Sequence, residues 1–452
     1  MMLWKKLFKK LKSQDKRLIP SDRLLAILGI AVLLVVCAQF WGLGLFVFIL
    51  VNGVLLGIIL LDGFTLSQFP SVSALRKKDM LFEIDQWNRV EVVLSSSAPL
   101  NTFMWIKDDY PDGFSVSQRQ FTLNWQGETE QAFSYQAKPH RRGRHFFHDV
   151  HIRMESRWKL LVIQERLRCE DEAKVYPSLE VTRRVRKGMP LFHSNEGRSI
   201  KRIVPSGSEF SHIREYQPDD DPRNINWQST ARIGKLVSNV YQPLMGQSVI
   251  ILLDCGRMMG IQNEGRTQLD QTLEAALGFA SVALKRGDQV SLLAFADDII
   301  CWLPPGKGIN YIQKMIEATF DIKPSYAESN YVHAWQYVRA QYQHKVLITL
   351  FTDMVNISFS DQLAEMLNMT VKKHHLLLVS MQDSKLGEIE NQMPETLEIA
   401  LKQHVARSLK NERKQALHRW RGRHVHQVDV PPQRMASAAI QSYLEIRRKQ
   451  TI

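Results

Sequence analysis

From Leu24 to Leu61 the chain runs for 38 residues without an Asp, Glu, Lys or Arg. One crossing of a bilayer uses about 20 apolar residues at about 1.5 Å each, so this run has room for nearly two. Gln39, Trp41, Gly42 and Gly44 interrupt its middle, where a tight turn at the far membrane surface would fall. The expectation is a two-helix transmembrane hairpin over 24–62, with helices near 24–40 and 45–62. A cleaved signal peptide is disfavoured, because the run is too long and has no small-x-small site before a polar start. Val35 and Val36 stand before Cys37 where a lipid-attachment site would need small residues.

Charge gives the hairpin a direction. Residues 1–23 hold eight Lys or Arg against Asp15 and Asp22, almost half of the net +13 of the whole chain. Arg76, Lys77 and Lys78 follow the second apolar stretch. Cations flanking a span stay on the cytoplasmic side, so both ends of the hairpin are expected inside, as in a multi-pass protein of the inner membrane whose soluble domains face the cytoplasm. The basic tail 1–23 is expected in solution beside anionic lipid heads, with nucleic acid the weaker alternative. Cys37, Cys169, Cys255 and Cys301 are too scattered for a disulfide framework or a CxxC metal site, which fits a reducing compartment.

Beyond a polar linker at 63–80, short alternating stretches such as Val90–Leu94, Phe121–Trp125 and Val150–Arg153, parted by turn residues like Pro111-Asp-Gly113, predict a small antiparallel β-sandwich over 81–178. Its histidines, His140, His145, His148 and His151, lack a metal-ligand spacing. A connector at 179–246 leads to a region, 247–452, where wholly apolar strands (Ser248–Asp254, Val290–Phe295, Lys345–Asp353, His374–Val379) alternate with helical stretches. That alternation predicts an α/β domain with a doubly wound, mostly parallel sheet. Ligands bind such sheets at the carboxyl ends of the strands, where Asp254 and Asp353 fall.

An apolar strand ending in Asp254, a later strand ending in Thr352-Asp353 and a serine-bearing loop between them resemble a von Willebrand factor A-type domain. That fold can hold a divalent metal on an Asp-x-Ser-x-Ser loop, a Ser or Thr of a second loop and an Asp of a third. Carried onto this chain, the resemblance implies Asp254, Ser329 and Asp353 as metal ligands, with Mg²⁺ the cation that suits hard oxygen donors. Both loop serines are replaced here, by Gly256 and Met258, and Arg257 stands between them. The site is therefore degenerate, and the expected cofactor is none.

Ahead of this domain lies Arg214-Glu-Tyr-Gln-Pro-Asp-Asp-Asp-Pro-Arg-Asn-Ile-Asn-Trp227, followed by Ser229-Thr-Ala-Arg232. With the strand at 248–254 and the two N-terminal spans, it resembles the family catalogued as domain-of-unknown-function 58: membrane-anchored A-like proteins often encoded beside MoxR-type AAA+ ATPases. Where that family usually has Gly after Pro218, this chain has Asp219. Arg214, Arg223 and Arg232 interleave with Asp219, Asp220 and Asp221, while Tyr216, Ile225 and Trp227 supply apolar anchors. The motif can thus be an internal lock, or a partner-binding surface of the residue types common at hot spots.

No catalytic constellation is visible: Cys255 has no His partner, and Gly306-Lys-Gly308 lacks P-loop spacing. The basic stretch Lys402–Arg423 reads as a solvated helix face. The expectation is a membrane-tethered cytoplasmic scaffold or adaptor that binds protein partners, a MoxR-type ATPase being the one the resemblance implies. The alternative is a metal-dependent hydrolase, or metal-dependent adhesion-type binding, through Asp254 and Asp353. Oligomeric state and client are not legible.

Overall fold

A computed structural model describes residues 16–67, 69–77, 81–187, 208–217, 220, 222–243, 246–263, 265–353, 361–382, 384–393, 396–420 and 425–449. The chain forms two units, one ending at Tyr176 and one beginning at Pro177.

In the first unit, helices α1 (Asp22–Gln39) and α2 (Gly44–Ser67) are long and apolar enough to cross a membrane, and only 6% of either apolar window is buried. Ser21 caps α1 by accepting the Leu24 N–H, and Gly42, at φ +73°, makes the turn between the helices. The remaining elements are strands β1 (Lys16–Pro20), β2 (Val72–Arg76), β3 (Leu81–Glu83), β4 (Asn88–Ser96), β5 (Asn101–Asp108), β6 (Phe114–Val116), β7 (Phe121–Gln126), β8 (Glu130–Pro139), β9 (Gly143–Phe147), β10 (Val150–Glu155), β11 (Leu161–Leu167) and β12 (Asp171–Tyr176). They form sheets of order β1-β11-β10-β5-β7, β2-β4-β8-β6 and β3-β12-β9. The period-2 burial of strands such as β4 turns Val90, Val92 and Leu94 into one shared core with Met104, Ile106, Trp125 and Ile152, which Leu24 and Leu66 of the two helices also enter.

Several expectations change here. The end of the basic tail is not in solution: Lys16–Pro20 pairs antiparallel with β11, and Lys16 meets Glu165 at 2.8 Å. The exposed edge of β11 gives those residues a ladder that no charge count reveals. Residues 63–80 are not a free linker either, since α2 continues to Ser67 and β2 pairs with β4. The antiparallel pattern has one parallel exception, β3 beside β12. Arg76, read with Lys77 and Lys78 as a cation flanking the second span, is turned into the interior of the first unit. Its side chain is wholly buried, donates to Asp108, to the His148 carbonyl and to the Cys169 carbonyl, and lies 5.2 Å from the Phe147 ring centroid. Tyr135 donates to the same Asp108 at 2.6 Å, and burial beside that carboxylate pushes the phenol far up. Residues 1–15 lie outside the described residues.

The second unit opens with α3 (Glu180–Arg186) and the ribbon β13 (Ser208–Glu215) and β14 (Val237–Pro243), with α4 (Trp227–Ile233) between its strands. Strand β15 (Ser248–Asp254), the two-residue pair β16 (Gln262–Asn263) and β17 (Arg266–Thr267), and α5 (Gln268–Lys285) follow. Then come β18 (Gln289–Phe295), β19 (Ile299–Gly306), α6 (Tyr311–Thr319), α7 (Tyr331–Gln341), β20 (Leu347–Phe351), α8 (Asp361–Val371), β21 (His375–Met381), α9 (Ser384–Asn391), α10 (Leu397–Trp420), β22 (Val425–Val430) and α11 (Pro432–Lys449).

The six-stranded sheet has the order β19-β18-β15-β20-β21-β22, parallel except at the β18/β19 edge. Alternate residues serve opposite faces: Ile250 and Leu252 pack with Tyr331, Trp335 and Leu367 of α7 and α8, while Phe351 meets Phe279 of α5, which in turn meets Tyr443 of α11. A capping box at Thr267 and Asp270 starts α5. Tyr443 and Arg447 of α11 reach Asp288, whose carboxyl burial pushes above its ordinary value.

Candidate functional site

The parallel ladder brings the ends of β15 and β20 side by side, and the loop entering α7 crosses over them. Asn330 fixes that loop: its N–H donates to the Ala296 carbonyl at 2.7 Å and its side chain caps α7 at the His333 N–H. Ser329 and Tyr331, on either side of it, both reach Asp254, which is fully buried. One carboxylate oxygen accepts from the Gly256 N–H at 2.9 Å and from the Ser329 hydroxyl; the other accepts from Tyr331 at 2.8 Å and Thr352 at 2.5 Å. Four neutral donors therefore occupy both oxygens of one charge, which is how a buried carboxylate is kept without a cation.

Gly256 makes this possible. A Cβ there would stand 2.0 Å from Ser329 Oγ and 3.3 Å from Asp254 Oδ1. The position that the A-type resemblance assigns to a ligating serine is thus filled by the Ser329 side chain, and Ser329 turns its hydroxyl hydrogen toward Asp254. Arg257 points away, to Glu328 at 3.1 Å on the surface. Asp353 lies 3.8 Å from the Arg413 guanidinium of α10. Arg413 also grips Asp429 at 2.5 Å and the Met381 carbonyl, fastening α10 across the ends of β20, β21 and β22. The structure brings Asp254 and Ser329 into contact and turns Asp353 to a protein cation. A divalent metal needs open oxygen lone pairs, and these residues do not fit one. Among the described residues, no three His, Cys, Asp or Glu gather as a metal-binding group. Cys255 is buried, as a strand-end residue, with its thiol toward the Leu253 carbonyl.

The ribbon motif divides into a polar half whose side chains bond one another and an apolar half that stands exposed. Arg214 donates to Asp220 and to Gln217 at 3.3 Å, Gln217 N–H donates back to Asp220 at 3.1 Å, and Tyr216 OH reaches the Asp220 carbonyl at 3.2 Å. Asn226 caps α4 at the Ser229 N–H and bonds Asn239 of β14 at 2.9 Å, while Gly234, at φ +73°, ends the helix. On this frame Trp227 is 67% exposed, Ile233 59% and Leu236 47%, with Arg232 also exposed. Asp219, Asp221 and the Arg223 side chain lie outside the described residues.

Sequence reasoning missed Tyr331, Thr352 and Arg413 as members of the strand-end cluster. Thr352 adjoins Asp353, a residue the A-type resemblance implies as a ligand. Tyr331 shares the spacing of any core helix residue, and Arg413 sits inside a basic run that includes exposed residues such as Lys402, beside Glu398.

A profile of the family described as "Protein of unknown function DUF58" matches residues 212–421. "Uncharacterized protein YeaD" of Bacillus subtilis (strain 168) is 24% identical over 165 residues, 34% of this chain and 39% of that protein, so the chain matches well under half of this relative's length. Among solved structures, conserved hypothetical protein BatB from Bacteroides thetaiotaomicron is similar at TM-score 0.30 and 17% identity, over 45% of this chain and all of that one. An aerotolerance-related membrane protein from Bacteroides fragilis NCTC 9343 gives the same figures. The match begins in the ribbon motif and runs through the sheet into the end of α10, so over these residues the chain is similar to the DUF58 family.

Proposed function

We propose that this protein is a membrane-tethered scaffold that presents the ribbon motif to a protein partner on the cytoplasmic face of the inner membrane. The carrying observation is the exposure of Trp227, Ile233 and Leu236 on a frame whose polar side chains are engaged with one another. Exposed Trp and aliphatic side chains held on a rigid element are what binding hot spots use, and the flanking Arg232 adds a cation. The partner class we propose is a MoxR-type AAA+ ATPase, following the resemblance of the motif, and the sheet-bearing unit is read as a degenerate von Willebrand factor A-like domain. Its strand order with one antiparallel edge supports that reading. So does the strand-end position of Asp254, although its saturated carboxylate favours recognition without metal over hydrolysis.

Two features support the tether. Each apolar helix stretch, Asp22–Gln39 and Gly44–Leu61, spans about 27 Å at about 1.5 Å per residue, close to the hydrocarbon thickness. The chain also enters α1 and leaves α2 at the same edge of the first unit, which suits an even number of crossings. The cations of the N-terminal segment support a cytoplasmic position for that edge.

The test is capture of partners by crosslinking in cells, with the full chain and with Trp227→Ala/Ile233→Ser. An AAA+ ATPase recovered with the native chain and reduced at least tenfold with the variant is the expected result. Equal recovery with both would remove the ribbon from the interface, and its absence from both would remove the named partner.

A further inference from the structure

The turn between β10 and β11 is stitched to both ends of the helical hairpin. At the entry to α1, the Ser21 N–H donates to the Leu160 carbonyl at 2.9 Å and its hydroxyl to the Lys159 carbonyl at 2.6 Å. At the exit from α2, Asp62, fully buried, accepts from the Ser156 hydroxyl and from the Trp158 N–H at 3.3 Å. Ser156 in turn accepts the Leu161 N–H at 3.2 Å. Lys159 sits in the left-handed region at φ +59°, a conformation a lysine adopts only where its surroundings hold it, and the Ser21 hydroxyl on its carbonyl is one such hold.

These bonds fix the height of the turn. Leu24 is the first and Leu61 the last residue of the charge-free run, and the turn bonds to the residues just outside both. The side chains the turn exposes are Arg157, Trp158 (46% exposed) and Lys159, with Arg23 of the first turn of α1 also exposed. Trp favours the boundary between headgroups and acyl chains, where its ring is buried and its N–H stays wet, and Arg and Lys there meet lipid phosphates. Two acids share the region: Asp22 is exposed and Glu155 lies 3.2 Å from Lys159. Arg157 has no ion-pair partner among the described residues.

We propose that the β10–β11 turn, with Arg23, is a binding platform for anionic phospholipid headgroups that sets the depth and tilt of the first unit on the membrane. Trp158 inserts at the acyl boundary, and Arg157 and Lys159 bind headgroup phosphates. The proposal rests on the reading of α1 and α2 as membrane-spanning, so the experiment tests the two separately.

The full chain is reconstituted in nanodiscs containing phosphatidylglycerol brominated near the headgroup end of its acyl chains. Emission of Trp158 is read as the difference between the native chain and Trp158→Phe, and that of Trp41, at the far turn, as the difference from Trp41→Phe. Quenching of both is expected. Quenching of Trp41 alone overturns the platform and leaves the hairpin, whereas quenching of neither overturns both. The preference for spin-labelled phosphatidylglycerol over phosphatidylcholine is then compared between the native chain and Arg157→Gln/Lys159→Gln, both exposed positions. At about fivefold per cation near a charged surface, the preference should fall at least fivefold in the variant. An unchanged preference, or one abolished by millimolar inorganic phosphate, would overturn headgroup binding.

Discussion

Replacing Gly256 by Ala tests the strand-end cluster most directly. The added Cβ would stand 2.0 Å from Ser329 Oγ and 3.2 Å from the Ser329 backbone nitrogen. The first distance cannot be tolerated, so the hydroxyl must swing away and give up its bond to Asp254, a bond to a buried charge worth about 1.5–3 kcal/mol. The second is an overpacked backbone contact that adds about 1 kcal/mol. The total is about 2.5–4 kcal/mol. Ser329→Ala alone forfeits only the hydrogen bond, and Gly256→Ala on that background then costs about 1 kcal/mol, so the pair is non-additive by about 1.5–3 kcal/mol. Hydrogen exchange of the full chain, read in peptides covering Ser248–Asp254 and Leu347–Phe351, reports this as a speed-up of about two to three orders of magnitude for Gly256→Ala, at about 1.4 kcal/mol per tenfold. A cost below about 1 kcal/mol, or simple additivity, would show that Ser329 does not occupy this space and would refute the argument that Gly256 permits it.

The same geometry predicts that Gly256→Ser, which returns a hydroxyl to the degenerate loop, yields no heat on calorimetric titration with Mg²⁺; saturable heat lost in Asp254→Ala would reverse the conclusion. Arg413→Ala leaves Asp353 and Asp429 facing each other's charge with little water, and is expected to cost about 3–5 kcal/mol and to open α10 to protease, with Arg413→Lys a poor substitute because it cannot span both carboxylates and the Met381 carbonyl. His374 is buried against Trp335 and accepts the Val346 N–H through Nδ1, and burial first, then Lys373 and His344, hold its pKa below the ordinary 6.5. The neutral ring is the folded form, so its contribution is present above about pH 6.5 and is lost as pH falls through the depressed folded value. The urea midpoint should drop between pH 7 and pH 5, and drop less in His374→Asn; equal slopes would acquit the histidine. Trp227→Ala should leave the unfolding free energy from the same titration within about 0.5 kcal/mol, because an exposed side chain has little to lose on folding; a larger loss would make the ribbon a lock.

What the sequence revealed follows from what is periodic in it. The charge-free run and the apolar strands are patterns of single residues along the chain, and both survive in α1, α2, β15, β18, β20 and β21. What it concealed was pairing at a distance. Nothing in Lys16–Pro20 distinguishes a basic tail from an edge strand until β11, about 145 residues later, is seen to lack a neighbour on that side. Arg76 reads as one of three consecutive cations, and only the fold shows that it has left them for Asp108.

The strand-end carboxylate shows the same division within one site. The A-type resemblance put Asp254 and Ser329 in one site, and a parallel sheet delivers such loops to one end. The resemblance could not say whether the serine oxygen would lend a lone pair to a metal or a hydrogen to the aspartate. Three things decide it: the missing Cβ at Gly256, which lets Ser329 come in close, and the hydroxyls of Tyr331 and Thr352, which occupy the oxygen a cation would have used. The four donors together solvate the Asp254 carboxylate with hydrogen bonds alone, supplying no compensating charge. A strand end closed in this way leaves neither Asp254 oxygen open to a further ligand. The ribbon, with Arg214 and Asp220 engaged with each other and Trp227 turned out, is the surface on which the proposed partner binding is to be tested.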